Sequence, residues 1–327
     1  MHGNVFGGRP KLANKSKGAK QGVAVGIRRS FVPKLPVRLL MKYLGLSIPR
    51  IFLFWLDTVA RNWYYRFKVV SRHIGPLQKT RQLKGSKAGK QALVLANGPS
   101  VGKLDPAKIK RLQQADAFDV FAVNSYINSP LAEVVTPNYY LLSDPAYFNP
   151  AKYPHLTERL TTDINLLTQK DITCFVPLEH YNAAPFRKKF GFYDRGNLFL
   201  SKITITGPRC FVSMTAYKAL AAACYMGYSQ IYICGFDNDY FLNLVVDENN
   251  EMYYIDRHFY DKTGSQPSKV RDAHAHSVGE LLYSHHFLFK DLERFTEYPI
   301  INLNQKGLVD CFPKQHSLDI YKNNPSM

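Results

Sequence analysis

Apolar residues in this chain come in short runs, each closed by polar or turn-forming residues. Ala92-Leu-Val-Leu-Ala96 stops at Asn97-Gly98-Pro99-Ser100, and Phe118-Asp-Val-Phe-Ala-Val123 stops at Asn124-Ser125. Tyr139-Tyr-Leu-Leu142 stops at Ser143-Asp144-Pro145, Thr173-Cys-Phe-Val176 follows, and Ile231-Tyr-Ile-Cys234 ends at Gly235-Phe236-Asp237. Residues 298–303 form a last run. Runs of this length read as buried strands. Between them lie helical stretches. Asp105-Pro106 supplies an N-cap and a first-turn proline for a helix to about Gln113. Residues 214–226 (MTAYKALAAACYM) have high helix propensity, and Gly227 is placed to stop them. A further helix is predicted over residues 278–295. Strands alternating with helices predict an α/β, Rossmann-like, doubly wound and mostly parallel sheet of a GT-A-like variant.

Charge changes the picture at the N-terminus. Residues 1–90 hold 20 Lys/Arg against one acid, Asp57, whereas the whole chain has a net charge of +18. The remainder is therefore close to neutral, and the basicity belongs to the leader. Residues 1–34, rich in Gly, Lys and Asn, read as a disordered tail. Residues 35–90 read as a basic amphipathic segment and linker, and 91–327 as the catalytic domain. Leu39-Leu40-Met41, Trp63-Tyr64-Tyr65 and the apolar stretches 43–46 and 51–56 are interleaved with Lys42, Arg50, Arg61, Arg66 and Lys68. This is the composition of an interfacial helix, and it predicts peripheral membrane contact through residues 35–70 at the cytoplasmic face of the cell membrane. Pro49-Arg50 breaks the run well short of the ~20 residues that span a bilayer. A basic, acid-poor leader is also the mark of an organellar transit peptide, and no secretory signal is visible. Residues 79–90 (KTRQLKGSKAGK) read as a flexible linker. The five cysteines are scattered without a C-x-x-C pair, which suits a reducing compartment and offers no zinc site.

In a parallel sheet the strand ends share one edge, so Asn97, Asn124, Asp144, Gly235 and Asp237 converge on one crevice. The turn containing Gly98 and Ser100, between a strand and a helix, is where such proteins hold a nucleotide. Each of these residues taken alone is also an ordinary turn residue. Ser213 and Thr215 open the Ala-rich helix: their hydroxyls either cap it or leave its N-terminus to receive a phosphate, with Arg209 upstream as a clamp. Asp237-Asn238-Asp239 has the D-x-D spacing that holds a divalent cation between two phosphates, a short pattern that also occurs in plain loops. Arg271-Asp-Ala-His-Ala-His-Ser277 precedes a helix and presents loop histidines fit for general base work. His-x-His also suits a metal, but no third ligand has a recognisable spacing. His285 and His286 fall inside the helix and read as packing or surface residues.

Four stretches carry a resemblance: Ala96-Asn-Gly-Pro-Ser-Val101, Phe118-Asp-Val-Phe-Ala-Val-Asn124, residues 213–237, and Ala275-His276-Ser277. In order and approximate spacing they resemble the bacterial family 42 sialyltransferases, over roughly residues 91–310. The same stretch is similar to the hydroxymethylpterin diphosphokinase (MptE)-like proteins, which share a Gly-Pro-Ser turn and a late Gly-x-Asp strand end. The first resemblance implies a nucleotide-sugar donor, CMP-linked, and a glycan acceptor in surface polysaccharide or lipopolysaccharide synthesis. By position it implies that Asn97, Asn124 and Asp144 line the nucleotide pocket. It places Thr215 and Gly235 near the phosphate and donor sugar, and makes His276 the base that deprotonates the acceptor. Asp144 stands where those enzymes tend to carry an amide, and Asp239 where they carry an aromatic phosphate ligand. Tyr240 is the nearest tyrosine to take that role, with Tyr253, Tyr254 and Tyr260 close by. The sialyltransferases need no metal, whereas a cation on Asp237 and Asp239 would mark a different donor. The second resemblance implies pyrophosphate transfer from ATP with Mg²⁺. No nucleic-acid partner is expected, because the domain lacks a basic, aromatic-interleaved face.

Overall fold

The computed structural model describes residues 48–116, 118–197, 199–249, 251–254, 257–260, 268–269, 278–316 and 318. The expected disordered tail and the start of the 35–90 segment lie outside the described residues.

Strands β1 (Gln91–Leu95), β2 (Phe118–Val123), β3 (Tyr139–Leu141), β4 (Thr173–Pro177), β5 (Lys189–Phe192) and β6 (Gln230–Cys234) are followed by three short strands. These are β7 (Leu244–Val246), β8 (Met252–Tyr254) and β9 (Ser268–Lys269), and β10 (Ile300–Asn302) ends the series. Seven of them form one sheet in the order β10-β6-β1-β2-β3-β4-β5, with every neighbouring pair parallel. β7, β8 and β9 make a small antiparallel sheet. The helices are α1 (Ile48–Lys68), α2 (Ile74–Arg81), α3 (Pro106–Gln114), α4 (Pro130–Val134), α5 (Thr157–Gln169), α6 (Thr215–Met226) and α7 (Val278–Leu292).

The period-two alternation of β1 divides the core into two layers. Ala92 and Val94 face α6, together with Leu288 and Leu292 of α7. Leu93 and Leu95 face the opposite layer, with Ile109 and Leu112 of α3 and Leu160 and Leu167 of α5. Both sheet faces are covered, which is why its strands read as unbroken apolar runs. This is the Rossmann-like, doubly wound α/β fold that the alternation of strands and helices predicts. α6 lies across β1, β2 and β3. It ends at Gly227 in the left-handed conformation, φ 79°, whose N–H closes on the Ala223 and Cys224 carbonyls. The Asp105 carboxylate caps α3 by accepting from the Ala107 and Lys108 amides at 2.9 and 3.2 Å.

Residues 79–90 differ from expectation. They are no loose linker: α2 ends at Arg81, and the turns beyond it are tied to the end of α6 by Gly85 N–H to Tyr225 O and Lys87 N–H to Met226 O. α2 buries Leu77 and Thr80, and the Thr80 hydroxyl donates to the Gly191 carbonyl at 2.7 Å. α1 is joined to the same domain. Tyr65 is buried edge-on against Tyr193 at 4.7 Å and bonded to Glu179, and Asn62 Nδ2 donates to Gly196 O at 3.0 Å. Lysine density indicates a solvated segment, but two or three buried side chains suffice to dock one. β5, a four-residue edge strand, and the three-residue strands β7 and β8 were not read from the sequence pattern.

Candidate active site

From β1 the chain lays β2 to β5 on one side, then returns to place β6 on the other. The order reverses between β1 and β6, and in doubly wound sheets ligands enter at the carboxyl ends of the strands at that point. A cleft of about 280 Å³ opens there. Its walls come from the loop after β1 (Asn97, Gly98), the end of β2 (Asn124), the start of α6 (Ser213, Thr215) and the loop after β6 (Gly235, Asp237, Asp239). Eight of the residues singled out from the sequence therefore share one cavity.

The loops after β1 and β6 are clasped together. Ladder pairing continues past the strands through Ala96 N–H to Cys234 O and Gly98 N–H to Gly235 O. Ser100 Oγ accepts from the Gly235 amide at 2.9 Å and donates to Asp237 Oδ2 at 3.1 Å, and the Ser100 amide donates to the same oxygen at 3.1 Å. Asn304 Nδ2, from the loop after β10, takes Asp237 Oδ1. Ser100 is thus a positioning residue behind the wall rather than a lining residue. Burial pushes the Asp237 carboxyl above its usual range, with the Asp239 charge adding to it, although the Ser100 hydrogen bonds pull the other way. Asp237 and Asp239, the candidate cation pair, both line the cleft. Both oxygens of Asp237 are engaged by protein donors, and among the described residues no three His, Cys, Asp or Glu side chains gather around a common point.

Asn124 adopts the left-handed conformation, φ 51°, uncommon for a residue with a Cβ. The turn it begins is held by Tyr140, whose hydroxyl donates to Asn124 O, and by Asp163, which is completely buried. Asp163 accepts from Ser125 Oγ at 2.9 Å, from Tyr147 Oη at 2.7 Å and from Asn128. Burial raises its carboxyl, while the Tyr147 and Ser125 hydrogen bonds oppose the rise. Asn97 Oδ1 and Asn124 Oδ1 are buried without a hydrogen-bond partner among the described residues. Buried acceptors are normally satisfied, so two orphans on the walls of one cleft stand out.

Met214 occupies the N-cap of α6 and provides no side-chain cap among the described residues. Neither Ser213 nor Thr215 caps the helix; the Thr215 hydroxyl instead pairs with Ser143 Oγ at 2.9 Å. The first turn, Thr215 to Tyr217, lines the cleft, so the positive end of the α6 dipole faces the cavity. Arg209 is not the clamp expected there. It is buried against Asp194 at 3.1 Å and donates to Phe211 O at 2.6 Å, and Lys218 reaches the other Asp194 oxygen at 2.7 Å. Asp144 is not brought to the cleft either. It is exposed and caps the turn after β3 by accepting from the Ala146 amide at 2.9 Å. Tyr240 opens a short helical turn, but its side chain, like the whole of His274 and His276, lies outside the described residues. His285 is buried edge-on to Phe241 and His286 is exposed, the packing and surface roles read from the sequence.

Arg257 and His258 also line the cleft, brought there by the Phe259 amide donating to Asn97 O at 3.1 Å. His258 stacks flat on Tyr260, with ring centroids 5.1 Å apart. Sequence reading gave neither residue a role: His258 is only the first of a run of late histidines, and no motif marks Arg257. Asn304 did carry a signal: Asn302-Leu-Asn304 closes β10 as Asn97 closes β1, so the strand-end rule extended to the last strand reaches it.

The cleft thus offers a helix N-terminus for an anion, two amide oxygens for hydroxyl or amino donors, and a wall carrying Arg257 and His258. No family model matches the chain, and no curated protein matches its sequence. Among solved structures, the chain is similar to the MAf glycosyltransferase of Magnetospirillum magneticum AMB-1, at 11% identity and a TM-score of 0.43. That likeness covers 74% of this chain and 38% of the other, so this chain spans well under half the length of that protein.

Proposed function

We propose that the chain is a glycosyltransferase that binds a nucleotide-sugar in the cleft between β1 and β6 and moves the sugar to a glycan hydroxyl. The observation that carries this reading is the meeting of the uncapped α6 N-terminus with the unpartnered Asn97 and Asn124 oxygens in one cavity. A helix N-terminus takes phosphate. Amide oxygens accept from ribose hydroxyls or an exocyclic amino group. A nucleotide meets both demands with one molecule, and the likeness of four motifs to the family 42 sialyltransferases points to a CMP-linked donor. The favoured acceptor is a glycan of surface polysaccharide or lipopolysaccharide synthesis.

The reaction in this reading is direct displacement. His276 takes the proton of an acceptor hydroxyl as its oxygen attacks the anomeric carbon. The bond from that carbon to the phosphate oxygen breaks, and the nucleotide leaves with the electron pair. The negative charge that develops on it is met by the amides of the first α6 turn. No cation is needed at Asp237, whose carboxylate serves instead to hold the two loops together. Pyrophosphate transfer from ATP, the second reading, calls for Mg²⁺ as well as the nucleotide.

Thermal unfolding of the full chain with CMP, CDP, UDP, GDP or ATP, each with and without Mg²⁺ or Mn²⁺, tests the proposal. A CMP-dependent rise without metal is expected, on the order of 3 kcal/mol of stabilisation at 100-fold excess over Kd. A rise with ATP and Mg²⁺ alone would replace the glycosyltransferase with a diphosphokinase, and no rise with any nucleotide would refute both. With turnover in hand, His276→Ala lowers kcat by about two to four orders of magnitude. His258→Ala, on the cleft wall, acts on KM instead.

A further inference from the structure

α1 is apolar on two opposite sides. Its inner side, through Phe54, Thr58, Asn62 and Tyr65, packs on the domain, with Phe54 against Phe199 and Tyr65 against Tyr193. At helical spacing Leu53, Leu56, Trp63, Tyr64 and Phe67 fall on the opposite side, pointing away from the protein. Trp63 is 74% and Phe67 80% exposed. A soluble helix normally turns polar residues outward, and a contiguous exposed apolar ridge marks a binding face. The ridge is flanked by Arg50, Arg66 and Lys68, while Arg61 pairs at 3.0 Å with Asp57, the helix's one acid. Beside it an 800 Å³ groove between α1 and α2 has Val70, Ile74 and Leu77 in its walls together with Arg66 and Arg81.

We infer that this face seats on the surface of an anionic phospholipid bilayer, with the aromatic ridge at the headgroup–acyl boundary and the flanking cations on lipid phosphates. Charge complementarity decides the occupant. An apolar strip edged by cations, with almost no acid near it, is the complement of an anionic interface and a poor complement of a like-charged second copy. α1 lies in the surface and does not cross: no helix among the described residues is long and apolar enough to span a membrane. The inference goes beyond nucleotide-sugar transfer and does not depend on it.

The chain carries its own probe, because its two tryptophans, Trp55 and Trp63, both lie on α1. The full chain is titrated with phosphatidylcholine vesicles and with vesicles containing phosphatidylglycerol, reading tryptophan emission and co-sedimentation. The expected result is a blue shift and co-sedimentation with the anionic vesicles, lost at high salt. Leu53→Glu with Phe67→Glu keeps both tryptophans and the basic leader, and is expected to weaken vesicle binding at least tenfold, since each large side chain returned to water costs on the order of a factor of ten or more. The double variant's unfolding midpoint, read alongside, verifies that it is folded. Wild-type binding by the double variant would assign the affinity to the leader's charge and overturn the inference. Equal binding to both vesicle types would overturn it too, as would a lipid-free dimer that the same substitutions dissociate. Vesicle binding is read without nucleotide, so its failure leaves the glycosyltransferase proposal standing, and the reverse.

Discussion

A methyl group placed on Gly98 would lie 1.9 Å from Asp237 Oδ2 and 2.6 Å from the Gly235 carbonyl oxygen. One placed on Gly235 would lie 2.8 Å from the Ala96 carbonyl carbon, and Gly235 has φ 82° besides. Both glycines are present because the loops after β1 and β6 touch backbone to backbone, the contact that gives the cleft its floor. Gly235→Ala is therefore expected to cost about 2–4 kcal/mol, from the left-handed penalty and overpacking together. Denaturant unfolding measures the loss, and a change under 1 kcal/mol would show that the loops can separate. The strand-end residues Asn97, Asn124 and Asp237 were legible as a group, because a parallel sheet puts all such ends on one edge. Their separate roles were not. Whether a carboxylate faces a ligand or holds a neighbouring loop depends on Ser100 and Asn304, the second of them 67 residues away.

At the scale of the element, α6 puts its first turn on the wall of the cleft. Its Ala-rich composition and Gly227 stop were plain in the sequence, and its beginning was ambiguous between a capped helix and an anion site. The structure decides against capping by Ser213 or Thr215, since Met214 holds the N-cap and the Thr215 hydroxyl turns to Ser143. Met214→Asp tests what the open end is for. A carboxylate cap on an uncapped helix adds about 1 kcal/mol of stability, while occupying the amides that a phosphate needs. The expected outcome is a higher unfolding midpoint in the absence of ligand together with at least tenfold weaker nucleotide binding, read by calorimetry. Unchanged nucleotide affinity would move the phosphate elsewhere in the cleft. α1 is the other element whose sequence told only half. Its alternation of aromatic and basic residues announced an interface, but which side faced the protein required the partners, Phe199, Tyr193 and Gly196, all more than 125 residues further along the chain.

For the molecule as a whole, the buried group Asp194, Arg209 and Lys218 joins the turn after β5 to the α6 layer of the core. Burial alone would raise the Asp194 carboxyl, but the Lys218 and Arg209 charges outweigh it and hold it below its usual range. Burial in turn lowers the Lys218 ammonium against the pull of Asp194. Because the folded-state value of Asp194 is depressed, its contribution to stability is fully present above the ordinary carboxylate range near pH 4 and is lost as pH falls through the folded value. Asp194→Ala leaves two buried cations without their anion and is expected to cost about 3–5 kcal/mol at pH 7. The gap to the wild type should narrow below about pH 4 in paired unfolding curves. A gap that stayed constant from pH 7 through pH 3 would mean that the folded protein does not depress the Asp194 carboxyl. A cut at residue 90 would be damaging at this same scale, since it strips Tyr65, Leu77 and Thr80 from packing that the remaining chain leaves open.

The sequence alone determined the layered α/β plan, because strands covered on both faces must be continuously apolar and the helices between them must stop at Gly227 or start at Asp105. It also placed the crevice at the strand ends, since that follows from parallelism without any knowledge of strand order. Tertiary structure alone decided that β6 returns to the far side of β1, and hence which strand ends adjoin. It turned Arg209 inward to Asp194, left Asp144 outside, and brought Arg257 and His258 in. These outcomes rest on contacts between residues far apart in the chain, whose energies depend on burial and distance in three dimensions, and no local pattern encodes either.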